Sequence, residues 1–220
     1  MACIVYLIRA PRYEGISFEQ IRLIESYLRW RNQCKIGSKY ASSSFEEWGG
    51  HSLKELPPLE VIKYFKPFFD RKCIDNDDDI NGYKCYGIFE QVARFPKASQ
   101  FLNWIMRNVV RSESIPFDGT YEVTREQLEQ LLEACNQVRR YGITYTHTIE
   151  HNDNYKEHVY EVNEPIARVF LPILERDSGL MFPYAYESLY GKQVISAIES
   201  LNTILASTNF EQQTIYFTYG

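Results

Sequence analysis

The segment TREQLEQLLEACNQVRRYGITYTHTIEHNDNYKEHVYEV, residues 124–162, changes its hydrophobic period from 3.6 to 2 near position 143. Apolar residues of its first part recur at helical spacing: Leu128, Leu131, Leu132, Cys135 and Val138. From 143 onward apolar and polar residues alternate, and Asn-Asp-Asn at 152–154 separates two alternating runs. The segment therefore predicts a helix followed by a β-hairpin near 143–162, which places the chain in the α+β class.

The rest of the chain adds helices and two outer strands to this centre. Helical spacing predicts further helices at about 17–34, 59–69, 97–111, 166–175 and 187–206. Capping boxes at Ser17 with Gln20 and at Thr124 with Gln127 mark two helix starts. The runs CIVYLI (3–8) and TIYFTY (214–219) are predicted to be strands that pair with each other. Without a linker or repeat, we predict one α+β domain over 1–220, mostly helical with a small antiparallel sheet.

Composition restricts the classes of partner. The 220 residues carry a formal net charge of -5, which gives no overall attraction for nucleic acid or for an anionic membrane, so we expect neither as a partner. Five cysteines without a C-x-x-C pair indicate reduced, mostly buried thiols in a cytoplasmic protein. The apolar run near the N-terminus is too short for a signal peptide or a membrane span.

HTIEH, residues 147–151, matches the H-x-x-E-H pattern of one class of zinc peptidase. That chemistry needs a helix, because only there do residues four apart project toward a common ion. The neighbouring Thr, Tyr and Ile residues favour a strand, on which His147 and His151 are separated by roughly 13 Å. We therefore expect no metal or other cofactor, and keep a metal site at His147, Glu150 and His151 as the alternative.

Two predicted loops could each bind a ligand: an acidic one that resembles a calcium site and an aromatic one that could cover a pocket. Residues 77–82 match the first half of a calcium loop, but its twelfth position is Ile88, where a bidentate glutamate is needed, and Glu90 comes two residues late. We predict a solvated acidic turn, with a weak divalent-ion site as the alternative. The loop at 35–51 carries Phe45 and further aromatics that either pack onto the core or form a lid over a ligand.

The helix predicted at 97–111 has a basic face. The segment RFPKASQFLNWIMRNVVR, 94–111, combines cations with aromatics, a mixture that can hold a phosphate and stack a base. We predict a ligand-binding site at Arg94, Lys97, Asn103, Trp104 and Arg107. The alternative is an ordinary surface helix with one apolar stripe and one basic face.

Three blocks of the sequence together resemble a known family. They are IFEQVARFPKASQFLNWIMRNV (88–109), DGTYEVTREQLEQLLEAC (118–135) and DSGLMF (177–182). In this order they resemble a family of small uncharacterised proteins encoded by bacteriophages and prophages, often named phosphoglycerate kinase. Positions that agree with the family pattern are Lys97, Ala98, Trp104, Tyr121, Val123, Glu126, Leu128, Leu131, Leu132, Cys135, Ser178 and Gly179.

The chain also departs from the family pattern. Pro96 stands where the family has Arg, Ser99 where it has Asn, Leu102 where it has His, and Asp118 where it has Cys. Any catalytic histidine that the family carries at this helix position is therefore missing from this chain, and no nucleotide-binding glycine pattern supports the kinase name. The first 80 residues lie outside the resemblance.

The resemblance implies a phage accessory protein that works in the cytoplasm of the bacterial host and acts by binding. Its expected role is to counter a host defence or regulatory function, by inhibiting a host protein or by sequestering a nucleotide signal. The expected partner is a host protein or a small phosphorylated ligand. Two alternatives stay open: a metal- or nucleotide-dependent enzyme, and a structural protein that forms a homodimer.

Overall fold

The computed structural model describes residues 4–35, 43–70, 87–96, 99–111, 119–152, 155–162, 164–180 and 188–219. The helices in these ranges are α1 Phe18–Lys35, α2 Phe45–Gly49, α3 Leu59–Phe69, α4 Ser99–Ile105, α5 Arg125–Gly142, α6 Glu164–Ser178 and α7 Ser188–Ser207. A 3₁₀ turn covers Leu53–Glu55, and a π-helical turn, Met106–Val110, continues α4. The strands are β1 Ile4–Pro11, β2 Glu90–Pro96, β3 Tyr121–Val123, β4 Ile143–Asn152, β5 Tyr155–Val162 and β6 Gln213–Tyr219.

The strands form a four-stranded sheet and a separate hairpin. The sheet has the order β2-β1-β6-β3, and β3 runs antiparallel to β6 with Glu122 opposite Tyr216. The predicted pairing of the first and last strands is confirmed, since β1 and β6 are neighbours. β4 and β5 form the predicted hairpin, so the α+β class with a small antiparallel sheet is confirmed.

Both predicted capping boxes are present. The Gln20 side chain accepts a hydrogen bond from the backbone N–H of Ser17 at 2.9 Å, and the Ser17 hydroxyl accepts one from the N–H of Gln20 at 3.3 Å. Thr124 and Gln127 make the equivalent pair of bonds at 2.9 and 3.2 Å. These bonds satisfy backbone donors that have no partner within the helix, which is why α1 and α5 begin where the sequence predicts.

The chain divides into two compact units, and the prediction of one domain over 1–220 stays a prediction. The first unit comprises Met1–Ile8, Val92–Phe210 and Ile215–Gly220, and the second comprises Arg9–Gln91 and Glu211–Thr214. The backbone passes from one unit to the other within β1, β2 and β6.

The first unit contains the larger hydrophobic core. Its buried side chains come from the sheet, from α4 and its π-helical turn, and from α5, α6 and α7: Val5, Leu7, Phe95, Phe101, Trp104, Ile105, Leu128, Leu131, Val138, Leu171, Leu174, Leu201 and Phe217 are among them. α5 packs against both α6 and α7. The apolar stripe of α5 identified from the sequence is therefore the centre of this core.

The second unit packs α1 against α3, with α2 on α1. Phe45 of α2 is buried, and its ring lies 5.6 Å from that of Tyr27 and 5.7 Å from that of Trp30. Part of the predicted loop at 35–51 is thus a short helix that packs on α1 through Phe45. Residues 36–42 lie outside the described residues.

Sequence periodicity missed three features. β2 and β3 were not predicted; β3 has three residues, and the segment of β2 was not recognised as a strand. The helix predicted at 97–111 is present from Ser99, but its C-terminal part is a π-helical turn that follows α4, and Arg111 ends it at φ 57°.

Candidate functional site

The segment 103–108, which forms the end of α4 and the start of the π-helical turn, is bonded to two distant parts of the chain. Asn108 donates from Nδ2 to the carbonyl of Ser178 at 2.7 Å and to the carbonyl of Trp104 at 2.8 Å. The carbonyl of Asn108 in turn accepts a hydrogen bond from Gln127 Nε2 at 3.1 Å. Asn103 donates from Nδ2 to the carbonyl of Gly179. These bonds join the three blocks that carry the family resemblance.

Ser178 and Gly179 form the C-terminal cap of α6. Gly179 has φ +76°, and its N–H donates to the carbonyl of Glu175 at 2.9 Å, a common way for a helix to end. Ser178 Oγ donates to the carbonyl of Leu174 at 2.7 Å and accepts from the N–H of Leu180 at 3.3 Å. Ser178 and Gly179, two of the residues that agree with the family pattern, thus cap α6 in this chain.

Gly179 is also required by the close approach of Arg107. A Cβ atom added at Gly179 would lie 2.5 Å from Cδ of Arg107 and 3.2 Å from its Cβ. The Arg107 guanidinium reaches α6 and donates from Nη1 to the carbonyl of Glu175 at 3.4 Å. Asn103, Arg107 and Asn108 therefore hold the end of α6 against α4 and the π-helical turn.

Trp104 is a core residue. Its side chain is 2% exposed and belongs to the same cluster as Phe101, Leu128 and Leu174. A base can stack only on a ring face that solvent can reach, so in this structure Trp104 offers no surface for the predicted stacking. The ring instead fills the space between α4 and the neighbouring helices.

One carboxylate, Asp177, lies near Arg107 at the end of α6. Arg176 lies 2.8 Å from Asp177, and its hydrogen bond lowers the pKa of that carboxyl, with smaller contributions from the charges of Arg176 and Arg107. Because Arg107 faces a carboxylate and the carbonyl end of α6, its charge is partly neutralised. A phosphorylated ligand would find less attraction here than the basic sequence predicts.

Two further residues, Arg94 and Lys97, belong to the predicted ligand site. Arg94 is exposed on β2. Lys97 lies outside the described residues. The ligand-binding site at Arg94, Lys97, Asn103, Trp104 and Arg107 stays a prediction, although Asn103, Trp104 and Arg107 have packing or capping contacts here.

The backbone of HTIEH lies on β4, as predicted. Thr148 pairs with His158 and His147 with Val159, and register irregularities leave Thr146 and His151 as extra residues on β4. The helix that H-x-x-E-H zinc chemistry needs is absent from 143–152. Across the described side chains no group of three or more His, Cys, Asp or Glu could hold a metal ion.

Most of the acidic loop, 71–86, lies outside the described residues, but its last ligand positions are visible. Ile88 is buried, and Glu90 Oε2 accepts a hydrogen bond from Arg9 at 2.7 Å. The twelfth position of the calcium pattern is therefore a buried apolar residue, Ile88, and the nearest glutamate, Glu90, forms an ion pair with Arg9. Of the cysteines in the described ranges, Cys34 is exposed and Cys135 is buried, and both are free thiols.

Glu25 is a buried carboxyl that sequence reasoning missed. Its side chain is 9% exposed; Oε1 accepts from Arg29 at 2.5 Å, while Oε2 is buried without a hydrogen-bond partner. Burial raises the pKa of Glu25 to about 7, against the opposing charge of Arg29. The i, i+4 spacing of Glu25 and Arg29 was visible in the sequence, but its burial was not.

The outward face of α6 is the second feature that the sequence did not reveal. Val169 is 70% exposed and Ile173, one turn further on, is 44% exposed. Pro172 is also exposed, whereas Leu171 and Leu174 on the other side of the helix are buried. We call Arg168, Val169, Pro172, Ile173 and Arg176 the α6 face.

Comparison of the chain with protein-family models, with curated proteins and with solved structures gives no match. No helix in the described part of the chain is long and apolar enough to cross a membrane.

Proposed function

We propose that this chain is a phage-encoded accessory protein that acts in the bacterial cytoplasm by binding a host protein, and that this binding counters a host defence or regulatory function. The three blocks that resemble the phage family support the origin. The α6 face supports the mode of action, because adjacent exposed apolar side chains on one helix face are typical of protein-binding surfaces.

The polar contacts of α6 support a host protein over a phosphorylated ligand. Asn103, Arg107 and Asn108 direct donors toward carbonyls at the end of α6. These donors are the groups that a phosphate site would use, and here they stabilise the helix that carries the apolar face. The single observation that carries the proposal is the exposure of Val169 and Ile173 on consecutive turns.

Affinity capture from a bacterial lysate tests the proposal. The wild-type protein is compared with Val169→Glu/Ile173→Glu, which places charge on the α6 face, and with Leu59→Glu as a matched control. Leu59 is 58% exposed on α3, so this control adds one negative charge at a comparable apolar position, where the double variant adds two. We expect a host polypeptide to be retained by the wild type and by Leu59→Glu, and lost with the double variant.

Other outcomes would redirect the assignment. Retention of the same polypeptide by the double variant would contradict a role for the α6 face. A nucleotide retained in place of a polypeptide would favour the sequestering of a phosphorylated signal at the basic helix.

A further inference from the structure

We propose that the outer edge of β4 pairs with β4 of a second copy of the chain, so that two hairpins form one four-stranded sheet in the order β5-β4-β4-β5. The inference does not depend on the proposed host-binding role of the α6 face. It is carried by the backbone of the hairpin and by the distribution of charged residues between its two strands.

The hairpin packs on the rest of the first unit through β5. β5 contacts α7, whereas β4 follows directly from α5. β4 bonds to β5 along one edge, and no other strand in the described ranges pairs with it. The other edge of β4 therefore carries backbone N–H and C=O groups to which a further strand can bond.

A short run of β4 is regular enough for such pairing. Register irregularities lie between Tyr145 and His147 and between Glu150 and Asn152. Between them, each residue of 147–150 pairs in turn with one residue of 156–159 on β5. Bulges bend an edge and limit its pairing, so 147–150 is the part of β4 to which a further strand can pair. A two-stranded sheet is only marginally stable by itself, and further strands stabilise it.

Charged residues occupy β5 more than β4. Apart from histidines, the eight residues of β5 include Lys156, Glu157 and Glu161, whereas the ten residues of β4 include only Glu150. Charged residues on an edge strand oppose pairing with another chain. In the proposed sheet β5 forms both outer strands and β4 both inner strands, which is the arrangement that this distribution favours.

A second copy fits the edge because β4 is compatible with itself. A two-fold axis places one residue opposite its own copy, and the neighbouring pairs follow by counting outward from it. If the axis passes through any residue of 147–149, Glu150 lies opposite a threonine of the second copy and never opposite its own copy. These threonines are, in turn, Thr144, Thr146 and Thr148. Pairing of the same edge in both copies also closes as a dimer, with no free β4 edge left.

Sedimentation equilibrium of the intact purified protein over a range of concentrations tests the inference. We expect the wild type to be in equilibrium between monomer and dimer. Thr148→Lys places a cation in the regular run of β4, close to its own copy across the axis. Because like charges at close range oppose association, this variant should raise the dissociation constant of the dimer at least about tenfold.

His158→Lys is the matched control for Thr148→Lys. His158 lies directly opposite Thr148 on β5, so the same cation is added to the same pair of residues on the outer strand. The two copies of this position would be separated by three strand spacings, about 14 Å, at which physiological salt screens most of the repulsion. The dissociation constant should therefore change less than about threefold. Circular dichroism checks that both variants keep the wild-type fold.

Disulfide cross-linking tests the pairing itself. His147, Thr148 and Ile149 are replaced singly by cysteine in a Cys34→Ser background, which removes the exposed thiol at Cys34. Residues directly opposite in an antiparallel pair have Cβ atoms about 4.5–5.5 Å apart, close enough for a disulfide after a small adjustment. We expect the substitution on the axis to give a covalent dimer on mild oxidation and the Cys34→Ser parent to give none.

Several results would overturn the inference. They are a monomer at every concentration, a dimer that Thr148→Lys leaves unchanged, or no covalent dimer from any of the three cysteine substitutions. A dimer that is lost in Val169→Glu/Ile173→Glu but kept in Thr148→Lys would also overturn it, because the second copy would then lie on the α6 face. The proposed function is tested separately, since capture of a host polypeptide by the α6 face does not require pairing through β4.

Discussion

The side-chain amide of Asn108 donates a hydrogen bond to the carbonyl of Ser178, 2.7 Å away and 70 positions along the chain. With the bond from Gln127 to the Asn108 carbonyl, it connects the π-helical turn to the ends of two helices. A hydrophobic side chain or an ionised carboxylate has no donor and could make neither of the bonds that Asn108 Nδ2 donates. This contact fixes the end of the helix that carries the α6 face.

Replacement of Asn108 by alanine is expected to destabilise the protein. The change removes both Nδ2 bonds and leaves a partly buried carbonyl of Ser178 without this donor, which costs about 1–3 kcal/mol. Urea unfolding measures the change. Asn202→Ala, at an exposed position of α7, is the control and should change the free energy of unfolding by less than about 0.5 kcal/mol. Equal effects of the two substitutions would contradict the role given to Asn108.

Gly179→Ala is expected to destabilise for two reasons, its positive φ and the approach of Arg107. Gly50, the C-cap of α2, has φ +69° with nothing within 4 Å of an added Cβ, so Gly50→Ala measures the backbone strain alone. We expect Gly50→Ala to lower the free energy of unfolding by about 1–2 kcal/mol and Gly179→Ala to lower it by more. Combining Gly179→Ala with Arg107→Ala should recover part of the difference. If the two substitutions lowered the free energy of unfolding additively, Gly179 and Arg107 would not be in steric competition.

Trp104→Ala is expected to reduce the free energy of unfolding by about 3–5 kcal/mol, because it removes a large side chain from the core of the first unit. Urea unfolding followed by far-UV circular dichroism measures this loss. A stable, folded Trp104→Ala variant that had lost a small-molecule ligand would instead support the stacking role predicted from the sequence.

Glu25 is expected to make stability depend on pH. Its pKa in the folded protein, about 7, is above the ordinary 4.5, so the folded state holds a proton that the unfolded chain releases. The contribution of Glu25 to stability is fully present below pH 4.5 and is lost as pH rises through 7; its full size is on the order of 3 kcal/mol. In Glu25→Gln this dependence should disappear, which urea unfolding at pH 5 and pH 8 would detect.

Glu129→Gln is the matched control for Glu25→Gln. Glu129 also pairs with an arginine four residues away in a helix, but both partners are about half exposed, so its removal should change stability by only a few tenths of a kcal/mol. If Glu25→Gln followed the same pH curve as the wild type, Glu25 would not be the buried carboxyl that causes the effect.

The sequence predicted the features that depend on local pattern. The α5 stripe, the boxes at Ser17 and Thr124, and the hairpin were all visible, because periodicity and capping need only neighbours along the chain. The π-helical turn was not visible, since its side-chain bonds, from Arg107 to Glu175 and from Asn108 to Ser178, link residues far apart in sequence. β2 and β3 depend in the same way on distant strand partners.

The candidate site was less predictable than the fold. Trp104 was expected to face a ligand because it stands among basic residues, yet its position on the helix points it into the core. The α6 face was missed for the opposite reason. Apolar residues of the run IARVFLPILE fall on most sides of the helix, and only the packing of Leu171 and Leu174 shows that Val169 and Ile173 face outward.

Amide hydrogen exchange tests most directly the claim that the α6 face is the binding surface. The purified protein is measured alone and with the host polypeptide captured from lysate. We predict that peptides covering 168–177 become protected on binding, while peptides from α3 that contain Leu59 do not change. Unchanged exchange over 168–177, with protection elsewhere in the chain, would contradict the claim.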